Sequence, residues 1–255
     1  MDPLLIFFLI AVGIFAGFMS GLLGVGGGFV FAPAMYFVLQ QMGVPAETAL
    51  LTAFGTSLAA AFPTVLTGSL AHTRKGNVVW RDAGIMGVCG ILTGFVGGGV
   101  ATLLPVDVLT ILFAVMLVAG GVRLVTMLPG GTKERMPAPL AGGIGASAGF
   151  FSGLLGVGGG TILVPLMAFF GKFSMKKAAA TSSAAIVFIT LGGISAYLLN
   201  GYLDWGLWII LVVTAVPAAL VSVKISGRVP DVWLRRLFFV LMMAIAAQMV
   251  WGVVF

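Results

Sequence analysis

A run of nine residues, Ser-Gly-Leu-Leu-Gly-Val-Gly-Gly-Gly, occurs twice in this chain, at positions 20–28 and 152–160. The surrounding sequence is almost uniformly apolar. Hydrocarbon cannot satisfy exposed backbone amides, so irregular glycine-rich backbone is tolerated at membrane depth only where it is buried in protein or lines a cavity. Two matching interruptions therefore predict one binding site built from two halves of a duplicated membrane protein.

The composition predicts that the chain lies in a lipid bilayer. Of its 255 residues, 60% are hydrophobic and 8% are charged, whereas soluble domains carry roughly 25% charged residues. Basic loops on the cytoplasmic face of a membrane explain the net charge of +6, so we expect no nucleic acid partner. One cysteine and one histidine exclude a disulfide framework and a zinc site of three or four Cys/His ligands. We expect no metal or other cofactor.

The duplication extends well beyond the glycine run. Matches continue at an offset of 132 to Pro33 and Pro165, and then, after a loop seven residues shorter in the second copy, at an offset of 125 to Trp80 and Trp205. The two halves are therefore 1–130 and 131–255. Since a membrane span needs about 20 apolar residues, three spans are predicted after the glycine segment of each half. These are 46–71, 82–101 and 107–127, then 176–199, 205–223 and 231–252.

Each glycine segment lies in an apolar stretch that exceeds a single span, 4–40 in the first half and 139–171 in the second. Each stretch could be one very long helix or two segments folded back as a hairpin. Lysine and arginine concentrate on the cytoplasmic side of membrane proteins. A single crossing distributes the basic residues six against seven, whereas a hairpin places all 13 on one face. The charges therefore predict the hairpin.

Equivalent loops of the two halves carry opposite charge patterns. Residues 73–76 (Thr-Arg-Lys-Gly) correspond to 198–201 (Leu-Leu-Asn-Gly), which lack basic residues. This difference is expected if the halves are inverted relative to each other, as in many secondary transporters. The predicted fold is an all-α integral membrane protein. It is an inverted repeat, and each half is a broken or re-entrant helical hairpin followed by three transmembrane helices. We expect the basic loops in the cytoplasm and both termini on the outer side.

The predicted substrate site lies at the two glycine breaks, because substrates of inverted repeats bind near the bilayer midplane at discontinuous helices. A helix that restarts at Phe29 or at Thr161 presents free N–H groups and the positive end of its dipole, which favours a small anion. The backbone residues predicted to bind it are Gly24, Gly26, Gly27, Gly28, Gly156, Gly158, Gly159 and Gly160. The glycines spaced four residues apart before each break are instead predicted to pack helices closely. They are Gly13, Gly17, Gly21, Gly145, Gly149 and Gly153.

Hydroxyl side chains form a second set of predicted ligands. They occupy equivalent positions in the two halves, and each can donate to an anion or bond back to a carbonyl of its own helix. Those in the first span after each hairpin are Thr56, Ser57, Thr181 and Ser182, and those leading into the glycines are Ser20 and Ser152.

The residue types that are missing exclude several function classes. No carboxylate falls in the middle of a predicted span, which disfavours a buried acidic proton or sodium relay. The glycine runs lack the Gly-Lys-Ser/Thr of a phosphate-binding ATPase loop. An intramembrane enzyme is not expected, since the chain has no metal cluster, mid-membrane acid pair or Cys/His nucleophile system. His72, at the end of a span, is expected to have an interfacial structural role rather than to relay protons.

The glycine runs and their flanking residues resemble the sulfite exporter family TauE/SafE of bacterial membrane proteins. The likeness rests on 17–28 with Pro33, on 149–160 with Pro165, and on the Gly-Thr-Ser and Ala-Thr-Ser segments at 55–57 and 180–182. The resemblance implies a secondary transporter that exports small sulfur-containing anions, such as sulfite, sulfoacetate or other organosulfonates, across the plasma membrane. The alternative is an anion channel or a facilitator for another small oxyanion.

Overall fold

The computed structural model describes residues 2–126, 133, 135–225, 236, 239–240, 242–247 and 249. Helix is the only regular secondary structure within these residues. The first half contains α1 (Pro3–Leu23), α2 (Gly28–Gln41), α3 (Ala46–Arg74), α4 (Trp80–Ala101) and α5 (Val106–Thr126). The second half contains α6 (Ala138–Leu155), α7 (Gly160–Phe169), α8 (Met175–Leu199) and α9 (Trp205–Ile225).

The predicted all-α membrane fold is confirmed in the described part of the chain. Six helices are long and apolar enough to cross a bilayer, namely α1, α3, α4, α6, α8 and α9. The predicted spans match α3, α4, α5, α8 and α9 to within three residues at each end. The sixth predicted span, 231–252, lies mostly outside the described residues. The chain is therefore a multi-pass membrane protein.

The first glycine run separates two helices that fold back on each other. Gly24 ends α1, because it adopts a left-handed conformation (φ 67°) and its N–H bonds to Ser20 O, a helix termination that favours glycine. The rings of Phe8, early in α1, and Phe37, late in α2, lie with their centroids 5.7 Å apart. The two helices are therefore antiparallel, and the predicted hairpin is confirmed in the first half.

The second run has the same geometry. Gly156 ends α6 with a φ of 67°, and its N–H bonds to Ser152 O. The chain before α6 meets the chain after α7, where Lys133 N donates to Lys172 O at 3.2 Å. These contacts confirm a second hairpin and exclude one long continuous helix.

Small residues bring the first helix of each half against a helix of the other half. A Cβ atom on Gly17 of α1 would overlap the backbone of Ala215 in α9, and one on Gly149 of α6 would overlap the backbone of Gly90 in α4. The two helix pairs are equivalent, because Gly17 and Gly149 differ by the first repeat offset and Gly90 and Ala215 by the second. The packing role predicted for the glycines at four-residue spacing is therefore confirmed.

The equivalent helices α3 and α8 cross in opposite directions. Gly55 of α3 lies against Tyr197 of α8, and one turn further along α3 Leu58 lies against Gly193, one turn earlier in α8. α3 is also the most deeply buried of the six candidate spans. Inversion of one half relative to the other would give this antiparallel course. Inversion of the whole halves across a membrane stays a prediction.

Two basic residues of the first half bond to backbone carbonyls of the second half at one end of the helix bundle. Lys75 Nζ donates to Val223 O at 2.6 Å, which joins the end of α3 to the end of α9. Arg81 Nη1 donates to Met136 O at 3.4 Å. The buried Asp82 carboxylate accepts from Met136 N at 2.9 Å, so the linker between the halves is bonded to the start of α4.

Candidate functional site

Each glycine run forms a break between two helices, the first break at residues 24–27 and the second at residues 156–159. Three glycines in each break adopt left-handed backbone conformations, which other residues enter only with strain. Their φ angles lie between 67° and 90°. They are Gly24, Gly26, Gly27, Gly156, Gly158 and Gly159. The breaks therefore require glycine for their conformation as well as for the space it leaves.

A new helix starts directly after each break. Gly27 is the N-cap of α2 and Gly159 is the N-cap of α7, and neither cap has a side-chain hydrogen bond. The first N–H groups of a helix have no acceptor within the helix, and they lie at the positive end of its dipole. The predicted helix starts are confirmed to within one residue. Each start can donate hydrogen bonds to a small anion without a charged side chain.

The two breaks touch each other. A Cβ atom on Gly28 would lie 2.6 Å from Val157 O, and one on Gly160 would overlap the backbone of Val25. Each half therefore places the start of its short helix against the break of the other half. The predicted glycines come together in one place, and Gly28 and Gly160 are needed for this close approach.

Serine hydroxyls fasten each break to the other half. Ser57 Oγ, in α3, donates to Gly156 O and shares its proton with Phe54 O. Ser182 Oγ, in α8, donates to Gly24 O at 2.8 Å in the equivalent contact. Both serines are fully buried. Their protons are directed to backbone carbonyls of the breaks, and their predicted contact with substrate stays a prediction.

The neighbouring threonines accept rather than donate. Thr56 Oγ1 accepts from Asp204 N at 2.9 Å, and Thr181 Oγ1 accepts from Val79 N at 3.1 Å. A hydroxyl carries one donor and two acceptor positions, so these bonds leave the proton of each threonine available. The threonines tie the loop after the equivalent helix of the other half to the region beside the breaks.

Two buried hydroxyls beside the second break have no hydrogen-bond partner among the described residues. Ser152 Oγ and Thr161 Oγ1 accept and donate no hydrogen bond among the described residues. Ser20 is buried at the equivalent place in the first half. Thr161 was predicted as a helix start but not as a side-chain ligand. The sequence signal for Thr161 is that it carries a hydroxyl where the equivalent position of the first half is Phe29.

His72 is buried at the basic end of α3, where its Nε2 lies 3.2 Å from Gly21 O of α1. A carbonyl can only accept, so Nε2 carries the proton and donates. The contact joins α3 to α1 and supports the structural role expected for this residue.

An apolar cleft of about 420 Å³ lies between α1 and α2. It contains none of the predicted site residues. Its lining is Phe8, Ala11, Val12, Phe15, Val30, Pro33, Ala34, Phe37 and Ile245. Such a surface suits hydrocarbon rather than an anion. Elsewhere, no group of three or more His, Cys, Asp or Glu side chains that could hold a metal occurs among the described residues.

Known proteins resemble the chain over most of its length. A sequence model of the family described as "Sulfite exporter TauE/SafE" matches residues 9–249. The probable membrane transporter protein MJ0441 of Methanocaldococcus jannaschii is 27% identical over 247 residues, which cover 91% of this chain and 90% of the relative. A probable membrane transporter protein of Haemophilus influenzae is 30% identical, covering 76% and 73%. The probable membrane transporter protein YdhB of Bacillus subtilis is 28% identical, covering 86% and 92%.

Proposed function

Because the chain belongs to the sulfite exporter TauE/SafE family, we propose that this membrane transporter carries a small sulfur-containing anion outward across the bacterial plasma membrane. Sulfite, sulfoacetate and other organosulfonates are the proposed substrates. Each is compact and presents several oxygen acceptors on one sulfur atom. The protein acts as a carrier and not as an enzyme.

The contact between the two glycine breaks carries this proposal. Two helix starts, each without a side-chain cap, meet where Gly28 approaches Val157 and Gly160 approaches Val25. Free N–H groups and helix dipoles favour a negative ligand. Neither break contains a lysine or arginine, so backbone dipoles and hydroxyl groups supply the attraction. The buried hydroxyls of Ser152 and Thr161 add donors beside the second helix start.

The orientation of the two halves gives this site access to both faces. The antiparallel course of α3 and α8, and the position of Lys75 beside Val223, support an inverted repeat with its basic end in the cytoplasm and both termini outside. Rocking of one half against the other would then open the breaks to each face in turn.

The membrane potential supplies a driving force for export. An inside-negative potential favours outward movement of each negative charge by about 2.3 kcal/mol per 100 mV. No carboxylate occupies the middle of a helix among the described spans. Outward transport of an anion therefore needs no buried acidic relay.

A flux assay in vesicles tests the proposal. Purified protein is reconstituted into liposomes preloaded with an unlabelled anion, and uptake of labelled sulfite, sulfate, sulfoacetate, taurine and thiosulfate is measured against protein-free liposomes. We expect saturable flux and counterflow for sulfite or a sulfonate. The flux of taurine should be lower, because its ammonium group is itself a donor and cannot accept hydrogen bonds from the site. Flux that neither saturates nor shows counterflow would favour the channel. No flux for any anion of the panel would contradict the proposal.

A further inference from the structure

Two polar side chains beside the second break are buried without a hydrogen-bond partner among the described residues. Ser152 is 1% exposed and Thr161 is 3% exposed, and neither hydroxyl has a hydrogen-bond partner there. A buried hydroxyl that is left unpaired loses its hydrogen bonds to water without replacement, which destabilises the fold. Several other buried serines and threonines among the described residues avoid that cost by bonding to a helix carbonyl, as Thr110 does with Val106 O at 2.8 Å.

Both hydroxyls lie near the start of α7. Thr161 lies in its first turn, two residues after the N-cap Gly159. Ser152 reaches the same place from α6, because a Cβ atom on Gly159 would lie 3.4 Å from Ser152 Cβ. Both residues therefore lie beside the N-cap of this ten-residue helix, at the positive end of its dipole.

The first break lacks this arrangement. Position 161 of the second half corresponds to Phe29, which is completely buried. A Cβ atom on Gly27 would meet the ring of Phe31 at 3.0 Å, whereas one on the equivalent Gly159 would meet only ordinary contacts at 3.4 Å or more. The first break thus keeps one hydroxyl, that of the buried Ser20, and has an aromatic side chain at the position equivalent to Thr161.

We propose that the anion binds asymmetrically, at the second break alone. Ser152 Oγ and Thr161 Oγ1 donate to the oxygens of a sulfite or sulfonate group, and the first N–H groups of α7 complete the set of donors. The first break packs against the second break and does not bind the anion. This assignment rests on the proposed function, since it places the same substrate class within the site. It differs in removing the symmetry between the halves.

Substitutions that separate the shape of Thr161 from its hydroxyl test the assignment. Thr161→Val keeps the shape and removes the donor, Thr161→Ser keeps the donor, and Ser152→Ala removes the second hydroxyl. Thr110→Val is the matched control, because its hydroxyl only bonds back to its own helix. Binding of sulfite and of sulfoacetate to each purified protein is measured by calorimetry. We expect at least about 10-fold weaker binding for Thr161→Val and Ser152→Ala, since a hydrogen bond to a charged group contributes about 1.5–3 kcal/mol. Thr161→Ser and Thr110→Val should stay within about threefold of wild type.

The thermal stability of the ligand-free protein supplies a second readout. Thr161→Val replaces an unpaired buried hydroxyl with a methyl group, so its unfolding midpoint should equal or exceed that of wild type while its affinity falls. A merely structural role for the hydroxyl would instead lower the midpoint. A variant that is less stable than wild type and binds normally would overturn the assignment.

The outcomes distinguish this inference from the proposed function. Wild-type binding with unchanged affinity in Thr161→Val and Ser152→Ala would overturn the asymmetric site and leave the proposed function intact. Failure of the wild-type protein to bind or transport any anion of the panel would overturn the proposed function and the asymmetric site with it.

Discussion

The hydroxyl groups near the breaks fall into two groups by their hydrogen bonds. Ser57 and Ser182 direct their protons to carbonyl oxygens of the opposite break, whereas Ser152 and Thr161 have no partner among the described residues. A serine with a satisfied carbonyl partner stabilises the fold, while an unpaired one is available to a ligand. Burial alone does not separate the two groups, because all four residues are buried.

Ser57→Ala is therefore predicted to weaken the fold. It leaves Gly156 O without its cross-half donor, which should lower the free energy of unfolding by about 1–2 kcal/mol. Ser195→Ala is the control, since the exposed Ser195 bonds only to Leu191 O of its own helix. Its stability should stay within about 0.5 kcal/mol of wild type. Denaturant unfolding in detergent micelles measures both. Unchanged stability in Ser57→Ala together with lost anion binding would instead make Ser57 a ligand.

At the scale of helices, glycine has two separate uses. Within α1 and α6 it removes a side chain so that another helix can approach, and within the breaks it supplies left-handed conformations. The first use depends on the neighbour. Gly149 lies against the backbone of Gly90, whereas a Cβ atom on Gly143 in the same helix would meet nothing within 4 Å.

Gly149→Ala and Gly143→Ala should therefore have opposite effects. The first forces α6 away from α4 and should cost about 2 kcal/mol or more, in the range of overpacked cores. The second gains helix propensity and should be neutral or stabilising by up to about 1 kcal/mol. Thermal unfolding of both variants measures the difference. Equal stability would contradict the close packing of α4 and α6.

Gly159→Leu tests the second use of glycine. A leucine there must adopt a φ of 79°, which is strained for a residue with a Cβ atom, and its side chain would enter the space beside Ser152. We expect loss of transport with normal membrane insertion, and the same for Gly27→Leu. Gly99→Leu is the control, because a Cβ atom at Gly99 meets nothing within 4 Å. Vesicle flux and membrane fractionation measure both properties. Wild-type flux in Gly27→Leu and Gly159→Leu would remove the breaks from the transport site.

The helices and breaks were predictable because their signals are local in the chain. Apolar length predicts a span, and the repetition of one glycine run in both halves predicts a break, whereas the unrepeated run Gly97, Gly98 and Gly99 lies inside α4 without ending it. The partner of Ser57 was not predictable, since Gly156 lies 99 residues away and only the packing of α3 against the second break brings it near. The unpaired hydroxyl of Thr161 was not predictable from the repeat, because a repeat points to positions that the two halves share and position 161 is where they differ.

At the scale of the whole molecule, the two halves exchange equivalent contacts. Ser57 meets the second break as Ser182 meets the first, and α1 meets α9 as α6 meets α4. A twofold relationship produces such exchange. Because α3 and α8 are antiparallel, the axis of such a relationship would be perpendicular to these helices and would lie in the plane of the membrane. Opposite orientation of the two halves in the bilayer is the central claim, because alternating access to one site depends on it.

Cysteine accessibility tests that claim most directly. Lys75 and Asn200 occupy equivalent positions, are both exposed, and follow α3 and α8 respectively. Each is replaced by cysteine in a Cys89→Ala background, since Cys89 is the one native thiol. A membrane-impermeant thiol reagent is then added to intact cells and to inverted vesicles. The inverted repeat predicts labelling of Asn200→Cys in intact cells and of Lys75→Cys only in inverted vesicles. Labelling of both positions from the same side would contradict it.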